Sequence, residues 1–200
     1  MVAMNKFELA EYIIGKFPGE VTPMKLQKLA YYCYVWQLVA EENLFTAHFK
    51  AWEYGPVDEE LYHKYKKYGK SAIQNESPVI SKKPVHPVID FILDSYAVYS
   101  AIELSKTSHM EKPWKLYKNS FEPIPDKTLK EFYSKQPFSW NFPLTEDKPF
   151  YPPKTASHFA FTFDMDKDYV PVFDNLDEYV NAFGSGKQKF NEIMKNALQN

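Results

Sequence analysis

The stretch from Met24 to about Ala40 (MKLQKLAYYCYVWQLVA) constrains the fold most, because no side of it is polar enough to face water. Thr22-Pro23 supplies an N-cap and a proline at the first helical position, so a helix is expected to start there. On that helix Leu26, Leu29, Ala30, Cys33 and Trp36 form one face, while Tyr31, Val35, Leu38 and Val39 form another. Such a helix is stable only when neighbours surround it. The rest of the chain must supply that shell.

Several segments have the periodicity to do so. Phe7, Ala10, Ile13, Ile14 and Phe17 recur at helical spacing, with Asn5 as cap and Pro18-Gly19 as stop. Phe45, Ala47, Phe49 and Ala51 alternate with polar residues, which predicts a short strand or ribbon that Gly55-Pro56 ends. Asp58 then caps a short helix carrying Leu61, Tyr62, Tyr65 and Tyr68, with Gly69 as its terminator. After a proline-rich loop from Ser77 to Pro87, one long helix is expected from Val88 to Lys106, with Ile89, Ile92, Leu93, Tyr96, Tyr99 and Ile102 inward. Ser108 and Glu111 are spaced as a capping box for a short helix through Lys118, and Asp126 is placed to cap another that carries Leu129, Phe132 and Tyr133. The fold class expected is α+β, mainly α-helical.

Beyond this the chain changes character. Residues 137–153 hold five prolines and five aromatics, Phe138, Trp140, Phe142, Phe150 and Tyr151, without a glycine. Flexible linkers lack aromatics, so this reads as a strap that runs extended and pinned over a surface, its own or a partner's, and its five rings are candidate partner contacts. Residues 154–200 read as a β-hairpin (Phe159–Phe163 with Tyr169–Phe173) and two helices. The organisation expected is a helical domain over 1–136, the strap over 137–153 and an extension over 154–200.

Composition removes several functions. The chain contains 35 aromatic residues but no arginine, so all 24 basic residues are lysines and bidentate guanidinium contacts to phosphate or guanine are absent. The net charge is −2, with residues 1–134 balanced at zero, and nucleic acid or an acidic membrane surface is therefore not an expected partner. Six scattered glycines provide neither a P-loop nor a dinucleotide fingerprint. Asp164, Asp166 and Asp168 open like a calcium loop, but Tyr169 and Asn175 stand where that loop needs Gly and Glu. The five histidines show no zinc-ligand spacing, and the single Cys33 lies on an apolar face as a small hydrophobe. No cofactor, metal or catalytic residue is assigned. With no signal-type apolar segment and no apolar run long enough to span a bilayer, a cytoplasmic protein is expected.

Two polar groups remain. Lys25, Gln27 and Lys28 read as a solvated helix start, with contact to a ligand or phosphate as the alternative. Ser108, His109 and Glu111 beside Trp114 could be taken for acid-base machinery, but capping and packing explain that spacing better.

Four blocks in order, Met24–Tyr32 (MKLQKLAYY), Ala51–Val57 (AWEYGPV) with Tyr62 and the run KYKKYG ending at Gly69, Leu104–Trp114 (LSKTSHMEKPW) and Ile124–Phe132 (IPDKTLKEF), resemble the Panacea-domain family of SocA-like or GepA-like proteins over about residues 4–134. Carried onto this chain, the family motif falls on Lys25, Leu26, Gln27, Lys28, Trp52, Tyr54, Gly55, Pro56, Tyr62, Ser108, His109, Glu111 and Trp114, as fold or partner contacts. Ser108 stands where members usually carry threonine, which keeps the hydroxyl. The resemblance implies a mostly helical domain with a small strand element. It also implies a non-enzymatic antitoxin that neutralises a cognate protein toxin by direct binding, in phages and mobile elements among other settings. One branch acts as an adaptor delivering its toxin to a Clp protease, so a protease is a further partner expectation, as is a second copy of the chain. A winged-helix-like regulator built on residues 5–40 is the remaining alternative, disfavoured by the missing arginine and neutral charge.

Overall fold

The computed structural model describes residues 4–74, 86–145 and 147–154, all within the first of two compact units, Met1–His158. The proline-rich loop beyond Gln74, the aspartates at 164, 166 and 168, and the expected hairpin and helices of the tail lie outside the described residues.

Helix α1 (Lys6–Lys16) starts with a capping box: the Asn5 side chain accepts from Phe7 N at 2.9 Å, and Glu8 accepts from Asn5 N at 2.8 Å. Leu9, Ala10, Ile13 and Ile14 are buried on its inner face. Helix α2 (Pro23–Val39) begins at the Thr22 cap, whose hydroxyl accepts from Lys25 N at 3.2 Å. Every residue from Lys25 to Gln37 is buried, so the expected shell is complete along most of its length. Strands β1 (Phe49–Trp52) and β2 (Gly55–Asp58) form an antiparallel ribbon in which Phe49 faces Asp58 and Trp52 faces Gly55. Then come α3 (Glu59–Tyr65), α4 (Pro87–Tyr96), α5 (Ala101–Met110), α6 (Lys112–Tyr117) and α7 (Asp126–Tyr133). Helix α2 touches α1, α3, α4, α5, α7 and β2, which makes it the axis of a mainly helical α+β fold.

The structure corrects four expectations. Gly55-Pro56 does not end the strand region but opens β2; in a two-stranded ribbon both strands are edges, where a proline's missing N–H costs little. The long helix over 88–106 is two helices, because Ser100 and Glu103 form a capping box that restarts the chain; Ile102, expected inward, is 64% exposed. Ser108 is no cap: it lies in the last turn of α5, fully buried, and donates to Ser105 O at 2.8 Å. Asp126 sits inside α7 rather than capping it, and accepts from the Tyr34 hydroxyl at 2.9 Å.

The strap is pinned to this unit's own core. Its start is not extended as expected: residues Pro137–Asn141 form a 3-10 turn that puts Phe138, 1% exposed, 4.7 Å from the Trp36 ring and 5.5 Å from Phe91. Asn141 holds the returning chain by accepting from Tyr151 N at 3.0 Å and donating to Tyr151 O at 2.7 Å. Trp36 also stands edge-on to Tyr133 and donates through Nε1 to the Tyr96 hydroxyl at 2.8 Å, so one side chain ties α2 to α4, α7 and the strap. Trp36→Ala should therefore lower stability by about 3–5 kcal/mol, read as a fall in the urea midpoint with the slope unchanged. A loss under about 1 kcal/mol would show that this cluster does not join those elements.

Candidate functional site

The blocks at the start of α2, in the hairpin and along α5 and α6 converge on one place, the Glu53–Tyr54 turn between β1 and β2. A tight turn leaves backbone carbonyls without ladder partners, and here side chains from other elements meet them. Trp114 Nε1 donates to Trp52 O at 2.8 Å, and His109 Nε2 lies 2.6 Å from Glu53 O. The Ser105 hydroxyl donates to Tyr54 O at 2.9 Å, and the Lys28 ammonium to Pro56 O at 2.9 Å. Gln27 completes the set by accepting from Asp58 N at 2.9 Å and donating to Asp58 O at 3.1 Å. His109 Nδ1 also lies 2.6 Å from Ser105 O; since carbonyls only accept, both ring contacts are hydrogen bonds only when both nitrogens carry hydrogen.

Gly55 is required at this crossing. Its φ is +100°, and a Cβ there would meet Lys28 Nζ at 2.6 Å and Ser108 Oγ at 2.7 Å. The Asp58 carboxylate, buried at the far end of β2, accepts from His48 N, Glu60 N and Leu61 N, each at 3.1 Å, and pairs with Lys6 at 2.9 Å. Lys25, Gln27 and Lys28 are thus buried rather than a solvated helix start. Sequence reasoning missed this because the acceptors that Gln27 and Lys28 meet come from a hairpin about thirty residues further on.

Lys28 is the unusual member. Only 1% exposed, it has three hydrogens to donate, one carbonyl acceptor and no ion-pair partner among the described residues, and burial pushes its pKa down to about 7. It contributes to the wall of a cavity of about 430 Å³ lined also by Pro23, Met24, Gln27, Trp52 and Tyr62.

Glu111 stands apart from this clamp. Its carboxyl group lies among tyrosines: Tyr32 donates to Oε1 at 3.4 Å and the Tyr133 hydroxyl contacts Oε2. The Tyr133 hydroxyl is also 3.1 Å from that of Tyr31, so the two phenols and the carboxyl group form one hydrogen-bonded chain. Burial holds the carboxyl up at about 8. Ser108, His109 and Glu111 therefore do not aim at one reacting atom: Ser108 bonds within its own helix, His109 holds the turn, and Glu111 points into the tyrosine cluster. Cys33 is fully buried and burial pushes its thiol pKa upward, away from nucleophilic use. Among the described residues, no group of three or more His, Cys, Asp or Glu side chains could hold a metal, and no helix is long and apolar enough to cross a membrane.

The five strap rings are divided by their placement. Phe138 is core, Phe142 lies half-buried near Trp36, and Tyr151 is half-buried edge-on to Trp140 at 4.8 Å. Trp140 and Phe150 remain 59% and 55% exposed.

Two stability measurements test this geometry. Gly55→Ala should cost clearly more than Gly19→Ala: both positions have positive φ, a penalty of about 1 kcal/mol, but nothing lies within 4 Å of a Cβ at Gly19. Equal losses would mean that the packing against Lys28 and Ser108 yields freely. For Glu111 the unfolded chain releases the proton near the ordinary 4.5, whereas the folded chain holds it to about 8. Its contribution is thus complete below the lower value and declines as pH rises through the upper. Glu111→Gln should flatten that decline in urea midpoints between about pH 5 and about pH 9; parallel curves would place the carboxyl in water.

No curated protein and no solved structure shows significant similarity to the chain. Residues 26–115, which hold α2 from Leu26 onward, the hairpin, its side-chain clamps and Glu111, match the family described as Antitoxin SocA-like, Panacea domain, the family that the sequence blocks resemble.

Proposed function

We propose that this chain is the antitoxin of a type II toxin–antitoxin pair, a non-enzymatic cytoplasmic protein that silences a cognate protein toxin by direct contact, with anti-phage defence as one setting. The observation that carries the reading is the antitoxin-like Panacea match over residues 26–115. The surface supports it. Tyr54, at the tip of the clamped turn, is 62% exposed, and Trp140 and Phe150 add two more rings. Aromatic rings on a rigid frame bind partners at low entropic cost and dominate interface energies. Residues 154–200, outside the family match, serve in this reading as the toxin-specific extension, and the strap joins them to the helical domain.

Co-expression with the product of the neighbouring open reading frame tests the proposal. That product should be toxic alone, be silenced by this chain and co-purify with it. Trp140→Ala with Phe150→Ala should weaken the complex at least about tenfold without lowering the melting temperature, and a chain lacking residues 155–200 should fail to neutralise. A neighbouring product that is harmless alone, or that is silenced without contact, would overturn the reading. A toxin half-life that shortens only when a Clp protease is present would assign the adaptor role. A salt-dependent shift of the chain's own promoter DNA would assign the regulator role.

A further inference from the structure

The cavity beside Lys28 has features that the fold itself does not require. It lies against the first turns of α2, the inner side of the hairpin and α3, and its wall is mainly apolar or aromatic: Pro23, Met24, Val57 and Leu61, with Trp52 and Tyr62 edge-on at 5.0 Å. Its volume, about 430 Å³, is that of a site for a small organic molecule or the last residues of a peptide. Its charged residues are Lys28, Lys66 and Glu53, and of these only Lys28 is buried.

A buried ammonium with one neutral acceptor is an unfinished arrangement. Among the described residues, Lys25, the other buried lysine, lies 4.0 Å from Glu20, and the half-buried Lys6 pairs with Asp58 at 2.9 Å. The first turn of α2 contains no acidic residue, so the positive end of the helix is also left without a counter-charge there. Ser108, the nearest polar side chain across Gly55, donates its hydrogen to Ser105 O and brings no charge. Of the carboxylates near these elements, Asp58 is committed to Lys6 and backbone amides and Glu111 to the tyrosine cluster, while Glu53, on the cavity wall, is exposed.

We propose that this cavity is a binding site for a carboxylate carried on an apolar or aromatic stem, which supplies the counter-ion that Lys28 lacks. One ammonium matches one singly charged anion. A phosphate monoester, with close to two charges and three acceptor oxygens, needs more donors than this wall holds, and the chain has no arginine to provide them. The apolar wall covers the stem, and exclusion of water strengthens the ion pair at its end. The carboxylate can belong to a small acid or to the C-terminus of a polypeptide. The site is independent of whether the chain's protein partner is a toxin.

The test uses the full chain with four probes: 3-phenylpropanoate, its amide, and a short alanine peptide ending in phenylalanine with a free or an amidated C-terminus. Binding is followed by NMR of the Lys28 side chain. At least one acid should bind, its amide should bind at least about tenfold more weakly, and the Lys28 titration should move upward by at least about one pH unit when the acid is bound. Whichever acid binds more tightly identifies the source, small molecule or chain terminus. Met24→Trp, which fills the cavity while leaving Lys28 in place, should abolish binding. Lys28→Met should lower affinity for the acid to that for its amide. Equal binding of acid and amide, an unmoved Lys28 titration, or no binding of either acid at about 10 mM would overturn the proposal.

Discussion

Helix α2 has no solvent side from Lys25 to Gln37, and the rest of the structure follows from that constraint. Burying such a helix also buries its polar groups, and each must find a partner inside the protein. Gln27 takes the backbone of Asp58, Lys28 takes Pro56 O, and Gln37 bridges Phe45 O and the amides of Leu44 and Phe45. Tyr32 reaches Glu111, Tyr34 reaches Asp126, and Trp36 reaches Tyr96. The apolar surface sets the strength of the packing. These directional bonds set which element lies where, because each fixes one neighbour in register with the central helix.

The hairpin shows the effect most clearly. A two-stranded ribbon of four-residue strands is marginal alone in water. Here donors from α2, α5 and α6 hold its turn carbonyls, and its far end is held through Asp58. Tyr54 is thereby presented to solvent on a braced backbone, which is the property a binding surface needs. The same bracing sets the buried Lys28 beside a cavity. Fold maintenance and the proposed ligand contact thus fall on the same short motifs.

Much of this was legible in the sequence. Asn5, Thr22-Pro23 and Asp58 act where local capping chemistry places them, and the two apolar faces of α2 correctly required a surrounding shell. The break between α4 and α5 was written in Ser100 and Glu103, but apolar spacing runs on across it and masks the signal. The polar start of α2 was misread because Lys and Gln at a helix N-terminus ordinarily face water, and nothing local reveals acceptors contributed by a distant turn. Ser108 and Glu111 have capping-box spacing, yet Ser108 is buried in α5 and the Glu111 carboxyl lies in a cluster built from α2 and α7. Spacing along the chain predicted local bonds well and failed where partners arrive through tertiary packing.

The central claim is that the hairpin belongs to the same cooperative unit as α2. Native-state hydrogen exchange measures this directly. The ladder amides of β1 and β2 should exchange with the same free energy and the same denaturant dependence as the most protected amides of α2, both opening only by global unfolding. Hairpin amides that exchange through a separate, lower-energy opening while α2 stays protected would contradict it.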